Sequence, residues 1–181
     1  MTAFIAPPSR LPWWLRLGLA AARRVAGREL LIGRLLGWYP RAAFSSGVLE
    51  GLITHHDGAL DERVLKLVRL QVSHAAACPF CIDMNSHDYA RAGITPDELE
   101  ALRGRRALAE VGTFTDRERL ALDYARLITQ TPLKFPSEFV ARLTAQFTER
   151  EIVILATTAA QVNYWTRLIQ ALGVPPAGFL E

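Results

Sequence analysis

Apolar positions recur along this chain at helical spacing, and strand-like alternation is absent. Asp61 is placed to cap a helix whose apolar stripe runs through Val64, Leu65, Val68 and Val72. Thr95-Pro96-Asp97-Glu98 offers an N-cap threonine, proline at the first helical position and glutamate at the third. Thr115-Asp116-Arg117-Glu118 and Thr148-Glu149-Arg150-Glu151 repeat that capping pattern. The first of these precedes Leu120, Ala121, Tyr124, Leu127 and Ile128, and the second precedes Ile152, Leu155, Ala156 and Ala159. Pro132 and Pro136 bracket one connection, and Gly173 with Pro175-Pro176 stops the last helix. The pattern predicts an all-α domain.

An arm precedes that domain. Leu11–Leu36 is rich in Leu, Ala and Trp and is punctuated by Gly18, Gly27 and Gly33, with Gly37 just beyond. Leu15, Leu19, Ala22 and Ala26 share a stripe. The division expected is a helical arm over residues 1–39 and a core domain over residues 40–181. The arm holds too little apolar surface for its own core and is expected to pack on the domain or on another subunit.

Composition narrows the class. With 181 residues, half of them hydrophobic and 22% charged, the chain has the balance of one globular domain with a sizeable core. The charge-free run Ile152 to Thr166 has 15 residues, fewer than the ~18–20 that span a bilayer. No ordered signal-peptide pattern is present, so the cytoplasm is the expected compartment. The net charge of +3 is uneven. Seven arginines stand against Glu29 in residues 10–41, which gives +6 there and −3 elsewhere. A solvated arginine face is the expected use. Trp13 and Trp14 beside these arginines also raise a membrane-surface role, which is not the expectation, and the short basic turn Arg103–Arg106 is too small to argue for nucleic acid.

The chemistry concentrates in His74-Ala75-Ala76-Ala77-Cys78-Pro79-Phe80-Cys81-Ile82-Asp83-Met84-Asn85-Ser86-His87. Proline at the first helical position makes Cys78 the N-cap of a new helix and Cys81 its third residue. Both sulfurs then lie in the first turn, where unpaired N–H groups and the helix dipole favour a thiolate. A two-residue spacer also lets the sulfurs close into a reducible disulfide. Two buried hydrophobes are the bland alternative. His74, Cys78, Cys81 and His87 are zinc-ligand types, but His87 falls about 240° round the helix from Cys81, so no metal is expected. The adjacent His55-His56-Asp57 reads as a loop.

At these residues the chain resembles the carboxymuconolactone decarboxylase superfamily, and within it the alkyl hydroperoxidase D-like branch. The resemblance runs from about Pro40 onward. It includes Cys78–Met84, Tyr89–Ile94, Asp116–Arg119 with Ala125, and Gln161–Arg167 through Gly173–Pro176. It implies an all-α fold, homo-oligomers (trimers or hexamers, with dimers also open) and no cofactor. It also implies reduction of a peroxide: Cys81 attacks, Cys78 resolves the product as a disulfide, and an external dithiol protein restores the pair.

Two positions depart from that family's pattern. Its relay glutamate, twelve residues before the first cysteine, is Lys66 here, and its relay histidine, four after the second, is Asn85. Asn85 can hydrogen-bond but cannot take a proton at neutral pH, and Lys66 is a poor base unless desolvated. Lys66 is expected to pair with Glu62 at the surface. His74, one turn before Cys78, is the replacement base to test. The pair is expected to serve a thiol-dependent peroxidase or a disulfide reductase, and the missing relay keeps open a cofactor-free decarboxylase-like enzyme or a non-catalytic oligomeric binding protein on the same scaffold.

Overall fold

A computed structural model describes residues 3–53, 58 and 60–180. Among them every regular element is helical. The α-helices are α1 (Trp13–Ala26), α2 (Leu31–Leu35), α3 (Pro40–Ile53), α4 (Glu62–Ala75), α5 (Pro79–Ser86), α6 (Pro96–Leu102), α7 (Asp116–Thr129), α8 (Ser137–Gln146) and α9 (Glu149–Ala171), with short 3-10 turns between some of them. His55, His56 and Asp57 lie outside the described residues.

The predicted starts are built as the sequence implies. Asp61 accepts the backbone N–H of Arg63, and Thr95, Thr115 and Thr148 each form a reciprocal capping box with the glutamate three residues on. The end of α9 is also as expected. Gly173 adopts a left-handed φ of 63°, and the N–H groups of Gly173 and Val174 return to the carbonyls of Gln170 and Ile169.

Helices α4, α7 and α9 pack on one another and make the centre of the molecule. Val68 and Val72 of α4 meet Leu120, Ala121 and Ala125 of α7 and Leu155, Ala159 and Val162 of α9, with α8 closing the layer through Phe139 and Leu143. A second cluster lies on the other side of α4, where Leu67 and Leu70 pack on Ile94, Leu99, Leu102 and Phe114. The third cluster seats Cys78, Phe80 and Cys81 among Ile32, Leu35, Ile169 and Val174. The cysteines are therefore enclosed by the N-terminal arm on one side and the end of α9 on the other.

Two glycines let the arm pack closely on itself. A Cβ on Gly33 would sit 2.5 Å from the Leu19 side chain, and one on Gly37 would sit 2.2 Å from that of Leu11. Of the arginines in the arm, Arg28 is not merely solvated. It donates to the carbonyl of Ala177 and lies over the Phe179 ring, which pins the C-terminal tail to the arm. Arg34 pairs with Glu29 at 3.5 Å. Arg10, Arg16, Arg23, Arg24 and Arg41 are exposed.

Arg63 joins three elements. Its Nε donates to Glu118 and its Nη2 to Glu98, each at 2.6 Å, so the glutamates of two capping boxes share one guanidinium at the start of α4. Glu98 is fully buried and also receives the Thr113 hydroxyl at 2.6 Å. Burial pushes the Glu98 carboxyl up, but Arg63, Thr113 and the Thr95 N–H outweigh it and hold the group below its ordinary range. None of the described helices is long and apolar enough to cross a membrane.

Candidate active site

The cysteine pair is produced by the way α4 ends and α5 begins. The N–H of Ala77 returns to the carbonyl of His74, and that of Cys78 returns to Ser73. This is a Schellman closure, which ordinarily places glycine at the left-handed position. Here that residue is Ala77, with φ of 47°. The reversal delivers Cys78 in an extended conformation as the N-cap of α5, followed by Pro79.

The Cys78 sulfur accepts the N–H of Cys81 at 3.3 Å, and the two sulfurs lie 2.7 Å apart as free thiols. Both residues are buried. The hydrogen bond between the two sulfurs pulls the Cys78 pKa down. Burial opposes this shift, and the N–H groups of Cys81 and Phe80 support it. The Cys81 pKa is pushed well up, first by that same hydrogen bond and then by burial. The backbone N–H groups at the helix start thus favour a thiolate at the Cys78 sulfur.

The other predicted residues stand around the pair in different ways. Asn85 is buried and donates to the Ser73 hydroxyl at 2.9 Å, and Ser73 donates to the Arg69 carbonyl at 2.7 Å, so this amide fastens α5 to α4. Lys66 reaches the carbonyl of His87 at 2.8 Å. Burial first, and Arg69 second, pull its ammonium below the ordinary lysine range. His74 lines a cavity with Gln71, Arg103 and Arg126, which neither cysteine lines. Its Nε2 is buried without a hydrogen-bond partner, and burial, helped by Arg103, holds the ring below its ordinary pKa.

His87 departs from its expected place. Helix α5 ends at Ser86, so His87 is not carried round the same helix but turns out in an extended conformation. Its ring packs 5.2 Å from Phe179, and its Nε2 lies 3.3 Å from Asp88. Among the described residues no group of three or more His, Cys, Asp or Glu gathers as a metal set.

Two carboxylates tie distant segments together. Asp83, one turn beyond Pro79, accepts four successive backbone N–H groups of the C-terminal tail. Ala177, Gly178 and Phe179 donate to Oδ2 at 2.9, 2.8 and 3.1 Å, and Leu180 donates to Oδ1 at 3.0 Å. Glu50 of α3 accepts Gln161 Nε2 at 2.6 Å and Trp165 Nε1 at 2.8 Å from α9. Both partnerships join segments about a hundred residues apart, for which no local pattern exists.

Residues 42–127 match the carboxymuconolactone decarboxylase family. The chain is 28% identical over 172 residues to the uncharacterized protein YnjA of Escherichia coli K12, covering 95% of this chain and 93% of YnjA. A crystal structure of a Cys-to-Ala form of the debrominase Bmp8 with 2,3,4-tribromopyrrole superposes with a TM-score of 0.82 at 18% identity, covering 99% of this chain and 94% of that one. An uncharacterized peroxidase-related protein from Ralstonia eutropha JMP134, described as an alkylhydroperoxidase AhpD core, superposes with a TM-score of 0.82 at 16% identity, covering 98% and 94%. The all-α, AhpD-like helical fold is shared with these structures.

Proposed function

We propose, from the premise that the chain belongs to the carboxymuconolactone decarboxylase superfamily, that it is a thiol-dependent oxidoreductase reducing an organic hydroperoxide at Cys78 and Cys81. The observation that carries the proposal is the pair of free sulfurs 2.7 Å apart at the start of α5. The dithiol gives two electrons and two protons to the peroxide. The O–O bond breaks, an S–S bond forms, and the alcohol and water leave. An external dithiol protein returns the disulfide to two thiols.

The resemblance assigns the attack to Cys81. Charge in this molecule favours the opposite order. Cys78 carries the thiolate and attacks the distal oxygen, giving a sulfenic acid. The Cys81 S–H supplies the proton that the departing alkoxide needs, and the resulting Cys81 thiolate then displaces hydroxide from the sulfenic acid, which becomes water by taking back from solvent the proton that Cys78 released on ionising. Neither Lys66 nor Asn85 is required in this route, which fits their engagement with His87 and Ser73. His74, facing a separate cavity, takes no part in it.

The test is a thiol count by mass spectrometry on the reduced protein, before and after one equivalent of cumene hydroperoxide. Loss of both thiols with a two-hydrogen mass decrease is expected. Dimedone trapping in the single variants separates the roles. Sulfenic acid should accumulate on Cys78 in Cys81→Ser, and little should form in Cys78→Ser. Unreactive thiols in the native protein refute the function, and trapping on Cys81 alone restores the assignment of the resemblance. Exposed Trp13, Leu17, Trp38 and Phe44 support a homo-oligomer, which light scattering would read as a multiple of the 20.1 kDa chain mass.

A second reading has one observation in its favour. The fold neighbour that binds a brominated pyrrole is a debrominase. The same pair would then deliver its two electrons and a proton to a carbon–halogen bond, releasing halide. Halide release from 2,3,4-tribromopyrrole by the reduced protein, absent in Cys78→Ser, would favour it.

A further inference from the structure

Lys66, Arg69 and Ser73 form one stripe of α4, at i, i+3 and i+7, and that stripe meets α5. At one end Lys66 donates to the carbonyl of His87, just past α5, and at the other Ser73 receives Asn85. Arg69 stands between them and, like Lys66, is half-buried. Its Nε is closed to solvent and has no hydrogen-bond partner. The two cations also repel one another.

Among the described residues no carboxylate touches either cation. Asp88 acts on Lys66, and Glu50 on Arg69, only through space. Asp88 pairs with Arg91 at 3.1 Å, and Glu50 receives Gln161 and Trp165. Lys66 spends one ammonium proton on His87, and the Arg69 guanidinium donates to no described residue. Two half-buried cations one turn apart, with donors to spare, are costly to hold without an anion in contact. Their donors suit a carboxylate, whose two oxygens can accept from both.

The stripe also lies beside the redox pair. Asn85 follows Cys81 at i+4 on α5, so the two share a face one turn apart. Ser73, the partner of Asn85, follows Arg69 by one turn of α4. A carboxylate on the two cations therefore stands about one to two helical turns, roughly 5–11 Å, from Cys81. A para-substituted benzene ring covers that span.

We infer that Lys66 and Arg69 bind the carboxylate of an organic acid, so that the hydroperoxide reduced at the cysteines is one that carries a carboxylate. The choice of substrate rests on the redox reading above, whereas the carboxylate site does not.

Two experiments test this. In the first, the reduced full-length protein consumes cumene hydroperoxide bearing a para carboxylate, or the methyl ester of that compound, at neutral pH. kcat/KM should be at least tenfold higher for the acid, the gain expected from hydrogen bonds between charged partners. Arg69→Met keeps the apolar stem of the side chain and should bring the acid-to-ester ratio to about one. Arg69→Lys, which keeps a charge, should retain most of the preference. The ratio is read within each variant, so a change in overall activity does not disguise it. In the second experiment, calorimetry on the Cys78→Ser/Cys81→Ser protein reads the site without reaction. There para-isopropylbenzoate should bind at least tenfold more tightly than its methyl ester, and adding Arg69→Met should remove the difference.

Equal rates and equal binding for acid and ester overturn the inference. So does a preference that survives in Arg69→Met, because the carboxylate is then held elsewhere, such as on the exposed arginines of the arm. A preference in binding without one in rate overturns the choice of substrate. Acid-selective binding in a protein whose native thiols ignore peroxide keeps the site and refutes the redox reading. Reactive thiols that distinguish acid from ester in neither experiment refute the site and leave the redox function standing.

Discussion

Asp83→Asn is the perturbation whose size follows most directly from the structure. The Asp83 carboxylate is buried and receives four tail N–H groups, three on Oδ2 and one on Oδ1. A hydrogen bond to a charged group is worth about 1.5–3 kcal/mol net, and a neutral one about 1 kcal/mol. Asparagine has one oxygen. At best it keeps three weakened bonds, and it turns an amide N–H₂ toward the fourth donor. The tail therefore loses about 3 kcal/mol of docking energy, a factor of about a hundred in its opening equilibrium. Val174 and Ala177 of that tail pack in the cluster that covers both cysteines, so opening the tail uncovers the sulfurs. Hydrogen exchange at 177–180 should accelerate by about two orders of magnitude, and alkylation of the thiols by iodoacetamide should quicken with it. Asp97→Asn, at an exposed position, is the control. Exchange at 177–180 within threefold of the native rate would refute the clamp. Faster exchange with unchanged alkylation would show that the tail does not cover the pair.

Two further expectations concern the frame around the site. Arg63→Met leaves Glu98 and Glu118 buried without their cation and should cost about 3–5 kcal/mol in urea unfolding at pH 7. Because the folded Glu98 pKa is lowered, its contribution is present above the unfolded carboxyl pKa of about 4.3 and is lost as pH falls through the folded value. The gap between native and variant protein should therefore narrow at a pH of about 3.5, and an equally wide gap at both pH values would contradict the pairing. Ala77→Gly relieves a left-handed alanine, worth roughly 1 kcal/mol in the native state, while glycine costs a similar amount through unfolded-chain entropy. Its net stability change should stay within about 0.5 kcal/mol, with peroxide-driven disulfide formation kept. Ala77→Val should lose more than 1 kcal/mol, and a neutral valine would show that the turn is not strained.

Most of the fold was legible because its signals are local. A threonine with glutamate three residues on, a proline at a first helical position and a glycine at a helix end each act within one turn, and each is built as read. The same locality placed Cys78 at an N-cap and Cys81 beside it. His87 was misplaced because a helix begun at Pro79 was extended past Ser86, where no glycine or proline marks the stop. Ala77 escaped notice because left-handed helix ends are sought through glycine. Arg63, Asp83 and Glu50 were illegible for another reason. Each binds partners set by packing, up to 115 residues away, and a lone charged residue carries no period or spacing that announces its partner.

The two positions at which the chain departs from the relay pattern have taken on mechanical roles. Lys66 holds the carbonyl of His87, the residue that follows α5, and Asn85 holds Ser73 of α4 from within α5. Asp83 adds the C-terminal tail to the same short helix. Helix α5 has only eight residues and little stability of its own, so three side-chain attachments fix the sulfurs at its start. A glutamate and a histidine at these positions would bring protons to the pair but would abandon two of those attachments. In the proposed route the proton for the leaving alkoxide comes from Cys81, whose thiol is held protonated by its hydrogen bond with Cys78 and by burial. Lys66 and Asn85 thus serve the rigidity of the helix start, and the proposed route draws its proton from within the pair.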